Sequence, residues 1–187
     1  MLNTFYDRFI FTNSLQYKHY NFFLSGVPFV IAPSAMLFGL ARTVSQEFHK
    51  QLYYAVKSGV REELLKQFGR EFRLNREKLI DFAQAYFTAS GWGLFESQDI
   101  NYAQKRAIVR VQNAPFSQFF SARAKHPVDS FLRAIIAAIF CMVFDENVDC
   151  VETACSAIGA NYCSFVVKPL RDFDFSNKEV RAQLNPE

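Results

Sequence analysis

Every side chain from Ala134 to Phe144 is apolar, and this run restricts the fold more than any other stretch of the chain. It is well short of the roughly 20 residues that a membrane-crossing helix needs, so a helix formed here has to be covered by the rest of the protein. Phe131, Ile135, Ile139 and Val143 carry a helical period through it. Pro127 stands where a first turn begins, and Asp145, Glu146 and Asn147 break the pattern at the other end. The run therefore predicts a central helix with other elements packed around it. At 187 residues the chain is long enough to provide that cover, since a chain of this size buries roughly 70% of the surface it exposes when unfolded.

The elements that would do so can be read from their periods. Ser34, following Pro33, predicts the N-cap of a helix carrying Leu37, Leu40, Val44 and Phe48. Leu52, Val56, Val60 and Leu64 continue a spacing of four to Phe68, as a second helix or a kinked continuation, with Gly59 inside the pattern and Gly69 at its end. Asn75 predicts the cap of a helix with Leu79, Phe82, Ala83, Tyr86 and Phe87 on one face and Gly91 beyond it. The period then falls to two: Ala107, Val109 and Val111 alternate with Ile108, Arg110 and Gln112, and together with Leu94 to Ile100 they predict an antiparallel hairpin. Val148–Ala154 and Tyr162–Val167 read as two further strands joined by a loop with Gly159 and Asn161. Near the start, Phe5 to Phe11, Phe22, Phe23 and Phe29 to Ile31 predict short strands between the turn formers Asn13, Ser14, Asn21 and Gly26. From Arg171 the sequence is charged and poorly patterned, which predicts a polar tail over 171–187. With no repeat and no linker, the chain reads as a single α+β domain over residues 1–187.

Composition excludes several functions. The net charge is only +3, and Lys and Arg are scattered among Asp and Glu, so nucleic-acid binding has no support. Asp7 and Arg8 interrupt the N-terminus before any apolar stretch of signal-peptide length, and no run is long enough to be transmembrane; a cytoplasmic location is expected. Four cysteines in a reducing compartment are free thiols or metal ligands. The 22 phenylalanines and 8 tyrosines either line an apolar cavity or fill the core in place of leucine. There is no Gly-rich phosphate loop and no G-x-G-x-x-G, hence no nucleotide cofactor site and no place for a hydride donor. His19, His49 and His126 are dispersed without a nucleophile motif. Tyr53, Tyr54 and Lys57 read as packed aromatics and a solvated amine on an amphipathic helix, and Cys141 and Cys150 read as packing residues.

Glu152, Cys155 and Cys163 offer three zinc-type ligands within twelve residues. Glu152 and Cys155, three apart, would face opposite sides of a regular strand, so a shared site requires a bulge or the start of the turn. Cys155 and Cys163 stand symmetrically about Gly159 and could meet across the loop, which would also permit a disulfide under oxidising conditions. Two plainer readings stay open: the cysteines as small buried hydrophobes, and Glu152 paired with a surface Lys or Arg.

The segment from Asp149 to Val167, with Glu-x-x-Cys-x-x-x-Gly-x-x-x-Cys at Glu152, Cys155, Gly159 and Cys163, resembles the signature hairpin of the 4-vinyl reductase domain family. Gly91-Trp92-Gly93 and the strand ending Val109-Arg110-Val111-Gln112-Asn113 extend the resemblance to about residues 30 to 168, with the signature over 91–168. The resemblance implies a twisted antiparallel sheet packed against a helical layer, as in subunits of the TRAPP vesicle-tethering complex, commonly as a homodimer, with a pocket for a small hydrophobic ligand such as a lipid chain or an aromatic compound. Relatives include sensor domains of aromatic-responsive bacterial transcription activators and a protein linked to vinyl reduction in bacteriochlorophyll synthesis. In the sensor relatives the Glu and two Cys bind zinc with a further Cys at the start of the preceding helix. Spacing to Glu152 puts Asp129 at that position, with His126 or water as alternatives. A carboxylate there makes the site harder, while an acid in the first turn of a helix also has a purely structural use against the helix dipole. The function so implied is binding or sensing of an apolar ligand. A structural zinc would clamp the hairpin to the central helix, and the signal would pass to another, unidentified protein. The alternatives are a dimeric scaffold using the stripe Leu37, Leu40 and Val44, and a true vinyl reductase.

Overall fold

The structure, a computed structural model, describes residues 15–43, 45–72, 74–120 and 124–184. The strands expected around Phe5 to Phe11, with Asn13 and Ser14, lie outside the described residues. The fold is α+β, as expected. A small antiparallel sheet comes first, formed by β1 (Leu15–Lys18), β2 (Asn21–Leu24) and β3 (Val27–Phe29) in that order. A four-stranded antiparallel sheet of β4 (Leu94–Asn101), β5 (Arg106–Gln112), β6 (Asp149–Ala154) and β7 (Cys163–Lys168) has the order β4-β5-β7-β6. Ala107, Val109 and Val111 of β5 are buried and sit opposite Val167, Phe165 and Cys163 of β7, so the alternation in the sequence is the inward face of this sheet.

The apolar run forms the middle of a helix, Ser130–Phe144, which is buried at nearly every position and packs against β6, β7 and the helices before it. The helix starts three residues later than the position of Pro127 suggests. The backbone N–H of Asp129 donates to Glu152 Oε2 (3.1 Å) rather than entering a helical turn, so Asp129 occupies the N-cap position and not the first turn. The other end is closed by Asp145 in the left-handed region (φ 54°) and by Lys105 Nζ donating to the Phe144 carbonyl (3.0 Å).

The helices packed on it differ in detail from their sequence reading. Helix α1 (Ser34–Thr43) takes Ser34 as its first residue, with Pro33 accepting from the Met36 N–H, and it does not continue through Phe48. A new helix, α2 (Gln46–Gly59), is capped by Ser45, whose hydroxyl accepts from the Phe48 N–H. After Gly59 the chain widens into a π-helical stretch, Val60–Leu65, and resumes as α3 (Lys66–Phe72), which runs past Gly69. The register slip explains how a strict spacing of four from Leu52 to Phe68 stays on one face, since a straight helix of 3.6 residues per turn would let it drift. Asn75 caps α4 (Arg76–Ala89) by accepting from the Lys78 N–H (2.9 Å), as expected.

Two short helices were not legible in the pattern. One is α5 (Pro115–Phe120), between β5 and the central helix, which is α6 in chain order. The other is α7 (Lys178–Gln183), which lies on β6 and α2 and overturns the expected polar tail: Phe173, Val180, Gln183 and Leu184 are buried. The tail reads as polar because its few apolar residues are spread through a charged stretch, yet each meets the core. Residues 185–187 lie outside the described residues.

Gly93 shows why the Gly-Trp-Gly motif needs its second glycine. Its φ is +103°, and a Cβ there would stand 2.7 Å from both the Gln112 carbonyl oxygen and Val111 Cγ1. Gly93→Ala therefore combines backbone strain with a collision against β5, and a loss of about 3 kcal/mol of unfolding free energy is expected in a urea titration. A loss under about 0.5 kcal/mol, the range of an ordinary surface substitution, would contradict this close approach.

Candidate metal centre

Asp129, Glu152, Cys155 and Cys163 come together from three elements: the N-cap of α6, strand β6 and the loop after it, and the start of β7. One ligand-type atom from each lies within 4.8 Å of the others, and all four residues are buried. The bulge that the spacing requires is present. The β6–β7 register shifts between Glu152 and Ala154, so Thr153 is an extra, exposed residue, and Glu152 and Cys155 reach the same side. A short 3-10 turn, Ser156–Ile158, closed by Gly159 at φ +106°, then brings Cys163 back beside Cys155. His126, the alternative fourth ligand, is exposed and outside the group. Glu152 makes no ion pair with a surface cation among the described residues; it is 1% exposed.

The polar contacts are dense. Ser117 Oγ donates to Asp129 Oδ2 at 2.6 Å and lies 3.2 Å from Cys163 Sγ and 3.4 Å from Cys155 Sγ. Cys163 Sγ is 3.2 Å from Asp129 Oδ2 and also accepts from the Ser156 N–H at 3.4 Å. Two oxygens are left over: Asp129 Oδ1 and Glu152 Oε1 are buried with no hydrogen-bond partner. Burial raises the Glu152 carboxyl well above the ordinary carboxylate range, and the charge of Asp129 adds to this. Burial likewise raises Asp129, against the opposing pull of its hydrogen bond from Ser117. The Cys163 thiol is pushed up first by its hydrogen bond with Cys155 and then by burial. Two like-charged acids and two thiols with unanswered buried oxygens form an arrangement that a divalent cation would neutralise. Zinc accepts this donor set of two thiolates and two carboxylates. A groove of about 540 Å³ reaches the group from the surface, with Glu152 and Cys155 among its lining and Pro127, Ile158 and Val180 around it.

A second buried polar cluster adjoins the first along β6, and here the expected solvated amine is corrected. Lys57 is only 6% exposed and its Nζ lies 2.7 Å from Asp149 Oδ1. Tyr53 Oη donates to the same oxygen (2.9 Å) and accepts from the Cys150 N–H (3.0 Å). Arg133 stacks over the Tyr53 ring at 4.5 Å and donates to the carbonyls of Cys150 (3.1 Å) and Gln183 (2.6 Å). The Gln183 amide bonds both the N–H and the C=O of Glu152, at 2.8 and 2.9 Å. The partner of Lys57 lies 92 residues away in sequence, so no local pattern could announce it. Cys141 and Cys150 are buried as packing residues.

These features define a class: an α+β fold whose C-terminal hairpin, central helix cap and short α5 enclose a metal-ligand set. Residues 114–169 match the family model of the vinyl-4-reductase domain, which agrees with the resemblance read from the hairpin. Among solved structures, the phenol-responsive sensory domain of the transcription activator PoxR, determined with phenol, shares the fold at a TM-score of 0.72 and 13% identity, covering 98% of each chain. Trafficking protein particle complex subunit 3 from Naegleria fowleri aligns at a TM-score of 0.45 and 14% identity over 72% of this chain and 91% of its own. A vinyl-4-reductase family protein from Methanocaldococcus jannaschii aligns at 0.41 and 18% over 75% and 96%. No curated protein matches the chain in sequence.

The raised carboxyls have a consequence for pH. In metal-free protein the folded state holds protons at Asp129 and Glu152 that the unfolded chain releases above the ordinary carboxyl values of 3.8 and 4.5. Their contribution to stability is thus complete below those values and is lost as pH rises through the raised folded ones. The melting temperature of chelator-treated protein is expected to fall between about pH 5 and about pH 8, and Asp129→Asn with Glu152→Gln to flatten that slope. A slope unchanged in the double variant would show that the pair is not its source.

Proposed function

We propose that this chain binds a small hydrophobic molecule of the size of a single aromatic ring, and that the neighbouring four-residue group holds a structural zinc ion. The observation that carries the reading is an aromatic wall built directly onto the candidate metal centre. Phe116, adjacent to Ser117, stacks on Phe131, two residues past Asp129, at 5.3 Å and 14°. Trp92 flanks both at 6.1 and 6.0 Å, and Phe38 meets Phe116 edge-on at 5.3 Å. Phe38 in turn stacks on Phe119 at 4.2 Å, and Phe119 is 42% exposed, so the wall reaches the surface. Offset and edge-on contacts of this kind are interchangeable among rings, so an aromatic ligand can take the place of one of them. Full-length likeness in fold to a phenol-responsive sensory domain supports the same reading.

In this reading the chain acts as one domain without catalysis. Bound zinc would supply positive charge and a cross-link between the hairpin and the N-cap of α6, a structural role. Two thiolate ligands require a reducing compartment, in keeping with a cytoplasmic location; among the described residues no helix is long and apolar enough to cross a membrane.

Trp92 is the only tryptophan, so its emission reports on the wall alone. Titration of zinc-loaded protein with phenol or toluene should give a saturable emission change, weakened about tenfold by Phe131→Ala. Elemental analysis of the same samples should give a single zinc per chain, lost in Cys155→Ser and in Cys163→Ser. A response to decanoate alone would assign the wall to lipid chains, and no saturable response to any of the three would sink the ligand reading.

A second reading, homodimeric association, is favoured by the exposed apolar residues Val30, Ile31 and Met36 between β3 and α1. Sedimentation equilibrium should show a dimer that Ile31→Asp with Met36→Asp dissociates; monomer only in the unmutated chain would exclude it.

A further inference from the structure

Ser117 is not a residue type that a metal-ligand search selects, yet its Oγ touches three of the four candidate ligand atoms. It lies on α5, a helix of six residues that is too short to be stable on its own and packs on α1 and on the 3-10 turn after Cys155. A serine inside a helix ordinarily returns its hydroxyl to the backbone one turn earlier or exposes it. Ser117 does neither. It is 2% exposed, and its one proton is committed to Asp129 Oδ2 at 2.6 Å, the short range of a hydroxyl donating to a carboxylate. The hydroxyl oxygen then faces the two sulfurs at 3.2 and 3.4 Å as an acceptor.

We infer that Ser117 is the positioning residue of the metal centre: its hydroxyl holds the Asp129 carboxylate in the orientation needed for that side chain to serve as a zinc ligand. The inference rests on the zinc reading given above. It follows from what a carboxylate lacks at this position. Asp129 stands at the N-cap but makes no side-chain capping bond, so nothing in the helix fixes its rotation. Its Oδ1 has no partner, and Oδ2 is held by Ser117 at the shortest of its contacts. A thiolate has a single donor atom and needs no such orientation, whereas a carboxylate has two oxygens and must present one of them. Donors that orient a metal-bound carboxylate from outside the ligand set affect affinity by about 10- to 100-fold. The same serine fixes α5, and with it Phe116, against the hairpin.

The test is zinc affinity by competition with a chromophoric chelator, on full-length protein in reducing buffer. Ser117→Ala should weaken zinc binding by about 10- to 100-fold while Ser117→Thr, which keeps the hydroxyl, stays within about threefold of the unmutated protein. The decisive comparison is the same Ser117→Ala change in an Asp129→Cys background, where the loss should shrink to within about threefold because a thiolate needs no orienting donor. An equal loss in both backgrounds would mean that Ser117 merely supports the fold, and equal affinities for Ser117→Ala and the unmutated protein would overturn the inference while leaving the zinc reading intact. Absence of zinc binding by the unmutated protein would overturn both. If Ser117→Ala does not fold, Ser117→Thr against Ser117→Val gives the comparison at matched volume, and equal affinity of that pair would equally defeat it.

Discussion

Strand β6 lies at an edge of its sheet, and an edge strand leaves backbone donors and acceptors that are costly to bury unanswered. Here they are answered by side chains. Tyr53 of α2 takes the Cys150 N–H, Arg133 of α6 takes the Cys150 carbonyl, and the Gln183 amide of α7 takes both groups of Glu152 as a neighbouring strand would. Three helices far apart in sequence are thereby fixed on one strand. The orientation of the Glu152 side chain, and so the geometry of the ligand group, follows from a backbone that is held on both sides.

The two buried polar clusters along this strand have opposite electrostatic characters. Around Asp149, one acid meets Lys57 and the guanidinium of Arg133 lies close by, so the charge is answered within the protein and the pair is satisfied by hydrogen bonds. Breaking such a pair by removing one member is costly, because it strands a charge in low dielectric. Around Glu152, two acids and two thiols meet with no cation among the described residues and with two oxygens unbonded. The first cluster is complete as built, whereas the second carries strain that protonation or a metal relieves.

The sequence made the local parts of this architecture legible. Asn75, the alternation from Ala107 to Gln112 and the apolar run from Ala134 predict their elements because caps, pleat and burial act over a few residues. The ligand group was also accessible, since Glu152, Cys155 and Cys163 lie in one hairpin and their spacing already demands the bulge that Thr153 provides. Asp129 needed a resemblance to be singled out. What stayed hidden is what depends on long separations: Lys57 with Asp149, Gln183 with Glu152, and Ser117 with Cys163. A short helix such as α5 also shows no period, and serine carries no metal signature of its own. A polar composition concealed the C-terminal helix because its buried face amounts to only a few side chains.

The amide of Gln183 has the shape and bonding groups of a peptide unit, and on β6 it occupies the place that the next strand of a sheet would take. The C-terminal helix is thus a built-in competitor for the pairing of a foreign strand at this edge. Cleavage of the chain ahead of Lys178 would open that place at the same moment that it loosened Glu152. A damaged copy would then lose its ligand group and gain an adhesive edge together, a route from proteolytic nicking to aggregation that the intact chain closes with one side chain.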